Sequence, residues 1–447
     1  MADMLFDKGE PELPEPDASQ ASAAGKPRLR KPFRQQQEIH FASLNELLDS
    51  EHPARAVWAV VEGLDVSAWL KDVKAVEGVC GRDGTAPRLL LALWVYATVQ
   101  GVASARELAR QCELHLAYKW LCGGVTVNYH LLADFRSQSE SKLDDLLTQV
   151  VAGLLDQKLV TLRYVSQDGM RVRASAGRSS FRSRTRLEKC LVEARQRVQT
   201  LKQLADADPQ ELSARQTAAR ERADRERQAR IEKAMEACED VEQKRRESRS
   251  RHQNKPALGS STDPDARIMK MGDGGYRPAY NVQFATDVDS GIIVGVDVVH
   301  AGGDNGQMAP MVDQVRERYD VSPENCLVDG GFLSLPDIEH VETDHQCAVY
   351  MPLKDAKKKL AAGEDPYARV KNDTDGSARW RARMGTDAAK VIYKLRAQSA
   401  EWVNAICRNH NLQRMPVRGL ERTRAVGLLH ALTHNLLRSQ RLAENPG

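Results

Sequence analysis

The chain has 447 residues, with 65 Lys and Arg against 62 Asp and Glu, for a formal net charge of +3. No window of about 18 apolar residues occurs, which excludes a helical membrane span. The acidic first ten residues lack the apolar core of a secretory signal. The length predicts two or three domains. The eight cysteines form no CxxC pair, so reduced, buried thiols in a cytosolic protein are expected. Cys112, His115, Cys122 and His130 are spaced too loosely for a zinc knuckle.

The net charge hides a segregation. Residues 178–256 carry 21 basic and 14 acidic side chains, residues 257–393 carry 15 and 22, and residues 394–441 carry 9 and 2. Two basic blocks flank an acidic one. That pattern fits a polyanionic substrate handled beside carboxylates.

Residues 1–31 are poor in large apolar side chains and read as a disordered tail; the basic run 26–34 within and beyond it suits contact with phosphates or an ordinary exposed arm. Residues 32–157 read as a helical N-terminal DNA-binding domain. Residues 87–99 are apolar nearly all round and predict a central buried helix. Gly101 ends it and Ser104 caps the next helix. Short helices then follow over 105–112, 114–121 and 128–136, with Gly123 and Gly124 between them. This spacing suits a helix-turn-helix-like DNA module; a plain helical bundle is the commoner source of short helices joined by glycine.

Residues 159–167 alternate as a strand, with Asp168-Gly169 at its end. Leu187, Leu191, Ala194, Val198 and Leu201 repeat at heptad spacing. Asp208-Pro209-Gln210-Glu211 breaks the run, and Ile231, Met235, Cys238 and Val241 form a matching stripe. A helical hairpin insertion over 185–256 is therefore expected. Residues 278–299 predict a hairpin turning at Asp289-Ser290-Gly291. A helix over 305–319, a short strand ending at Asp329-Gly330-Gly331, a helix over 335–341 and a strand over 347–351 follow. Residues 353–387 read as loop, 388–409 as one long helix and 422–441 as a last helix, with a tail over 442–447. The element order predicts an α/β domain built from 158–184 and 257–441.

The chemistry expected of such a chain is carboxylate-based. Two hard cations need oxygen ligands on rigid supports. Asp168 and Asp329 stand at strand ends before glycines, and Glu401 lies on a helix with Tyr393, Arg396 and Arg408. Each signal alone has a plainer reading: a turn, or a helical ion pair. Asp304 is read as an N-cap, His300 as an ordinary loop or core histidine, and Gly272-Asp-Gly274-Gly275 as a turn.

With these residues in view, the chain resembles bacterial insertion-sequence transposases of the DDE type, in the group with a Tyr-Arg-Glu-Lys signature helix. The signature here runs Tyr393-Lys-Leu-Arg396-Ala-Gln-Ser-Ala-Glu401 and on to Arg408. Four residues separate Arg and Glu instead of the usual three, and Arg408 replaces the Lys. Val165-Ser-Gln-Asp168-Gly169, Tyr280-Asn281-Val282-Gln283, Val328-Asp329-Gly330-Gly331-Phe332 and His434-Asn-Leu-Leu-Arg438 are similar to one branch of that group. The N-terminal helices are similar to its InsH-like domain. The resemblance implies an RNase H-like core. It implies that Asp168, Asp329 and Glu401 are catalytic and hold two Mg²⁺ ions, or Mn²⁺ in their place. Tyr393, Arg396 and Arg408 would contact DNA. It further implies double-stranded DNA partners (terminal inverted repeats and target DNA), self-association in a synaptic complex, and a cytoplasmic, nucleoid-associated bacterial setting. Two other readings stand beside a transposase: a catalytically silent, domesticated derivative that binds DNA, and an RNase H-like nuclease without strand transfer.

Overall fold

The computed structural model describes residues 41–78, 80, 83–207, 214–247 and 256–444. The expected tail over 1–31, the basic arm and the break at 208–211 lie outside the described residues. The chain divides into a segment ending at Ser43 and a unit running from Leu44 to Gly447, which holds all the described helices and strands.

Short helices open this unit. Pro87–Val99 is buried on nearly every side, through Leu91, Leu93 and Trp94 among others. Around it lie Pro53–Glu62, Ala105–Leu114, Leu116–Cys122, Tyr129–Ser137 and Glu140–Asp156. The caps are local. Ser104 Oγ accepts from the Glu107 amide at 3.4 Å and Asn128 Oδ1 from the Leu131 amide at 2.9 Å.

The sheet strands are β1 (Tyr164–Arg173), β2 (Phe181–Ser183), β3 (Leu258–Ser260), β4 (Arg267–Lys270), β5 (Tyr276–Asp287), β6 (Ile293–Val299), β7 (Asn325–Leu327) and β8 (Ala348–Tyr350). Six of them form one sheet in the order β4-β5-β1-β7-β8, with β6 also paired to β5. β1 runs antiparallel to β5 and parallel to β7, and β7 is parallel to β8. β2 and β3 form a separate pair. Between these two in the chain run two long helices, Arg184–Ala207 and Ala214–Glu247, packed through Leu187, Cys190 and Ala194 against Ile231, Ala234 and Cys238.

Three local expectations change. First, β1 starts later and ends later than residues 159–167, so Asp168 sits within it and not at its end. Leu162 has a positive φ of 56°, which breaks the early extended run. Pairing with β5 extends from Val165↔Asp287 to Arg173↔Ala279, and Met170 and Val172 bury their side chains beyond Asp168. Second, residues 353–387 are not all loop: they contain the helices Ala356–Ala361 and Asp375–Met384. The second is capped by Thr374 and anchored by Trp380, whose indole N–H donates to the Met351 carbonyl at 3.0 Å. Its charged residues are paired, Arg381 with Asp373 and Arg383 with Glu342, so a polar composition still folds. Third, the long helix expected over 388–409 is Asp387–Arg396 and Trp402–Asn409, with a π-helical turn, Ala397–Glu401, between them.

The last helix, Leu420–Glu444, lies in the core shared by the N-terminal helices and the sheet. Its His-Asn-Leu-Leu-Arg run has a defined task. His434 Nε2 donates to the Gly291 carbonyl at 2.8 Å, and Arg438 Nε donates to the Ser290 carbonyl at 2.7 Å. The Asn435 amide accepts from the Ile293 N–H and donates to the Ile293 carbonyl, both at 2.8 Å. These bonds fasten the β5–β6 turn, where Gly291 takes a φ of +73°. Asn435→Ala strands two buried backbone groups and should cost about 2–3 kcal/mol in chemical denaturation.

Acid should loosen the same helix. Burial pushes His430 down to about 3 and His434 down to about 4. Both stay neutral in the folded chain, whereas the unfolded chain takes up protons below about pH 6.5. Stability is therefore intact above pH 6.5 and falls as the pH drops from there toward 4, by roughly 1.4 kcal/mol per histidine at pH 5.5. His434→Gln should flatten that part of the stability–pH curve.

Candidate active site

The register of β1 and β7 sets the first two acids. Ser166 pairs with Leu327 in parallel, so two residues further along each chain come Asp168 and Asp329, side by side and on the same face of the sheet. Asp329 lies just past β7, where its carboxylate caps the 3-10 turn Gly330–Phe332 by accepting from the Gly331 amide at 2.7 Å. The third acid arrives on the π-helical turn. Ser399 Oγ bonds Ser166 Oγ at 2.7 Å, which pins that turn to β1. Trp402 packs on His434 with ring centroids 5.4 Å apart, which ties the following helix to the last one.

Arg396 stands among the three acids. Its guanidinium lies 2.9 Å from Asp168, 3.9 Å from Asp329 and 3.6 Å from Glu401. The π turn explains how it can. Five positions on a straight α-helix lie about 140° apart around the axis; a π turn bonds i to i+5 and absorbs the additional residue. Arg396 and Glu401 thus keep one face despite the longer spacing.

Burial separates the acids. The Asp168 side chain is 20% exposed, Asp329 43% and Glu401 62%. Burial raises the Asp168 carboxyl above its ordinary range; Arg396 opposes this, while Asp329 and Asp304 add to it. Burial also raises the Tyr393 hydroxyl, in a field shared with Arg396 and all three acids. One guanidinium among three carboxylates leaves an excess of negative charge. Hard oxygen donors with that excess fit divalent cations such as Mg²⁺ or Mn²⁺. Arg408 is not in this cluster: it lies exposed, seven positions after Glu401, about 10 Å further along the helix.

Two participants escaped the sequence reading. Asn404 donates to Asp168 Oδ2 at 2.8 Å, so each Asp168 oxygen is held. Its signal was its position three residues after Glu401, on the same helical face. Asp304 is not an N-cap. The helix it was assigned to begins at Met308, and its N-cap is Gln307. The Asp304 carboxylate is instead held by Asn281 and Gln283, each at 2.7 Å, and by Arg171 at 3.3 Å. This accounts for the alternate polar residues of the Tyr-Asn-Val-Gln run in β5. It also accounts for Gly169: a Cβ there would lie 2.1 Å from Asp304 Oδ1. The space beside Gly169 is filled by a carboxylate and is not open to a phosphate.

Two family models match the chain. Residues 42–138 match the family described as Transposase domain (DUF772), and residues 248–436 match Transposase DDE domain. The second match spans Asp329 and Glu401 and begins after Asp168. No curated protein and no solved structure matches the chain. Among the described residues, no helix is long and apolar enough to cross a membrane. A helical transposase domain followed by a DDE domain identifies the chain as an insertion-sequence transposase of the DDE type.

Proposed function

We propose that the chain binds the ends of its own insertion sequence and cleaves and joins DNA there through Asp168, Asp329 and Glu401, within an RNase H-like core. The observation that carries this reading is the convergence of three acids, from segments 161 and 72 residues apart, on the single guanidinium of Arg396. The three carboxylates would hold two Mg²⁺ ions, which when bound supply Lewis-acid stabilisation of charge on the attacking and leaving oxygens.

The chain's own residues then orient the DNA. Asn404 and the Arg396 guanidinium fix the two Asp168 oxygens. With the carboxylates otherwise neutralised, Arg396 is available to a phosphate at the scissile bond. Tyr393, kept protonated by its raised pKa, can donate its hydroxyl to a phosphate oxygen. Arg408, two turns away, suits the backbone beyond the cleavage point. DNA contacts by the N-terminal helices are part of the same reading. So is a phosphate track between the long helices and the core, where a 240 Å³ cavity is lined by Arg182, Arg227, Arg230 and Arg418 and by no carboxylate. Two ends must meet for joining, so self-association on DNA follows.

The test uses the inverted repeats flanking the coding sequence. Labelled duplexes carrying them should be bound, nicked at the element end and joined to a second duplex in Mg²⁺. Binding without any cleavage would favour a silent derivative, and cleavage without joining a nuclease.

A further inference from the structure

A second donor set lies outside the three-carboxylate site. Asp313 stands on the helix Met308–Tyr319, His340 on the helix Leu335–Thr343, and His345 in the segment before β8. The two imidazoles meet edge to face, with centroids 5.0 Å apart and an interplanar angle of 85°. Both Nε2 atoms converge on Asp313 Oδ1, at 2.8 Å from His340 and 2.7 Å from His345. The other ring nitrogens are engaged as well. His340 Nδ1 lies 2.6 Å from Asp344 Oδ2, and His345 Nδ1 lies 2.9 Å from Ser322 Oγ.

This pattern needs a positive body at its centre. An ionised Asp344 only accepts, so His340 Nδ1 donates to it, and a neutral ring then turns the Nε2 lone pair toward the Asp313 oxygen. Either an additional proton or a cation must lie there. Among the described residues, no lysine or arginine pairs with Asp313 or Asp344, so two carboxylates face two imidazoles with no fixed positive charge. The Nδ1 partners are also of the kind that orient metal-binding imidazoles: a carboxylate on one ring and a hydroxyl on the other.

We propose that Asp313, His340 and His345 form a zinc site, with both Nε2 atoms and one Asp313 oxygen as ligands and a water in the fourth position. One ligand atom from each residue lies within 4.8 Å of the others. The Asp313 and His340 side chains are about 40% exposed, which leaves room for the water, while His345 is 10% exposed and anchors the site. Imidazole with carboxylate suits Zn²⁺, whereas Mg²⁺ prefers six oxygens. The ion would clip together the two helices that precede and follow β7, the strand leading to Asp329.

The test titrates metal-stripped, full-length protein by calorimetry with Zn²⁺ as the titrant, against a background of excess Mg²⁺ chosen to fill the proposed three-carboxylate site. Wild type should bind one more equivalent than His340→Ala and His345→Ala. Asp344→Asn, which keeps all three ligands, should bind about 10–100-fold more weakly. Zinc should raise the melting temperature of wild type and not of the two alanine variants. Equal zinc uptake by wild type and both alanine variants would overturn the proposal, as would no uptake by wild type. If an alanine variant fails to fold, Asp344→Asn decides alone: unchanged affinity overturns the site.

Discussion

Asp168→Asn, Asp329→Asn and Glu401→Gln should each lower Mg²⁺-dependent end cleavage and joining by at least ~10³-fold, which corresponds to about 4 kcal/mol of lost transition-state stabilisation. Each change removes a charged oxygen from the site proposed to hold the divalent cations. Binding of the end duplex should be nearly unchanged, because the proposed DNA contacts, Tyr393, Arg396 and Arg408, are other residues. The fold should also survive. Asp168 is buried among other acids and its carboxyl is already raised, so its negative charge does not stabilise the metal-free chain. A gel assay of cleavage beside a binding isotherm, with a melting curve for each variant, separates the three effects. Substantial strand transfer by Asp329→Asn would remove that residue from the site.

Arg396→Ala should produce the opposite pattern. In the metal-free chain this guanidinium is the positive group shared by all three acids, and its side chain is only 11% exposed. Its removal leaves the half-buried Asp168 without a partner of opposite charge, held by neutral donors such as the Asn404 amide. The expected loss is about 3–5 kcal/mol of stability. Divalent cations should restore much of it, since they favour the folded chain by binding the same oxygens. The melting temperature of Arg396→Ala should therefore climb more steeply with Mg²⁺ than that of wild type. Parallel Mg²⁺ dependences in the two proteins would mean that Arg396 and the cations do not share a site.

Local chemistry was legible in the sequence and long-range pairing was not. The helix over 87–99 is uniformly apolar, and the cap Ser104 acts within three residues, so both could be read directly. The β5–β6 hairpin was visible because its turn and alternation are contiguous. The position of Asp168 within β1 was not, because the partner strand begins more than 100 residues later and overrides the strand end expected at Asp168. Asp304 was misread for the same reason: its partners Arg171, Asn281 and Gln283 come from two other strands. The helix Asp375–Met384 was hidden by its charge, since its periodicity rests mainly on Trp380 and Met384 while its arginines find partners elsewhere in the fold. The three proposed acids stood out by residue type and order; Arg396 was named beside Glu401, but only the geometry places its guanidinium among all three.

The π-helical turn at Ala397–Glu401 also bears on descent. An additional residue confined to one wide turn leaves the flanking helices in register, so gaining or losing it need not pass through an inactive ancestor. A helix with three residues between the arginine and the glutamate, or with four and one wide turn, can then present the same pair on the same face.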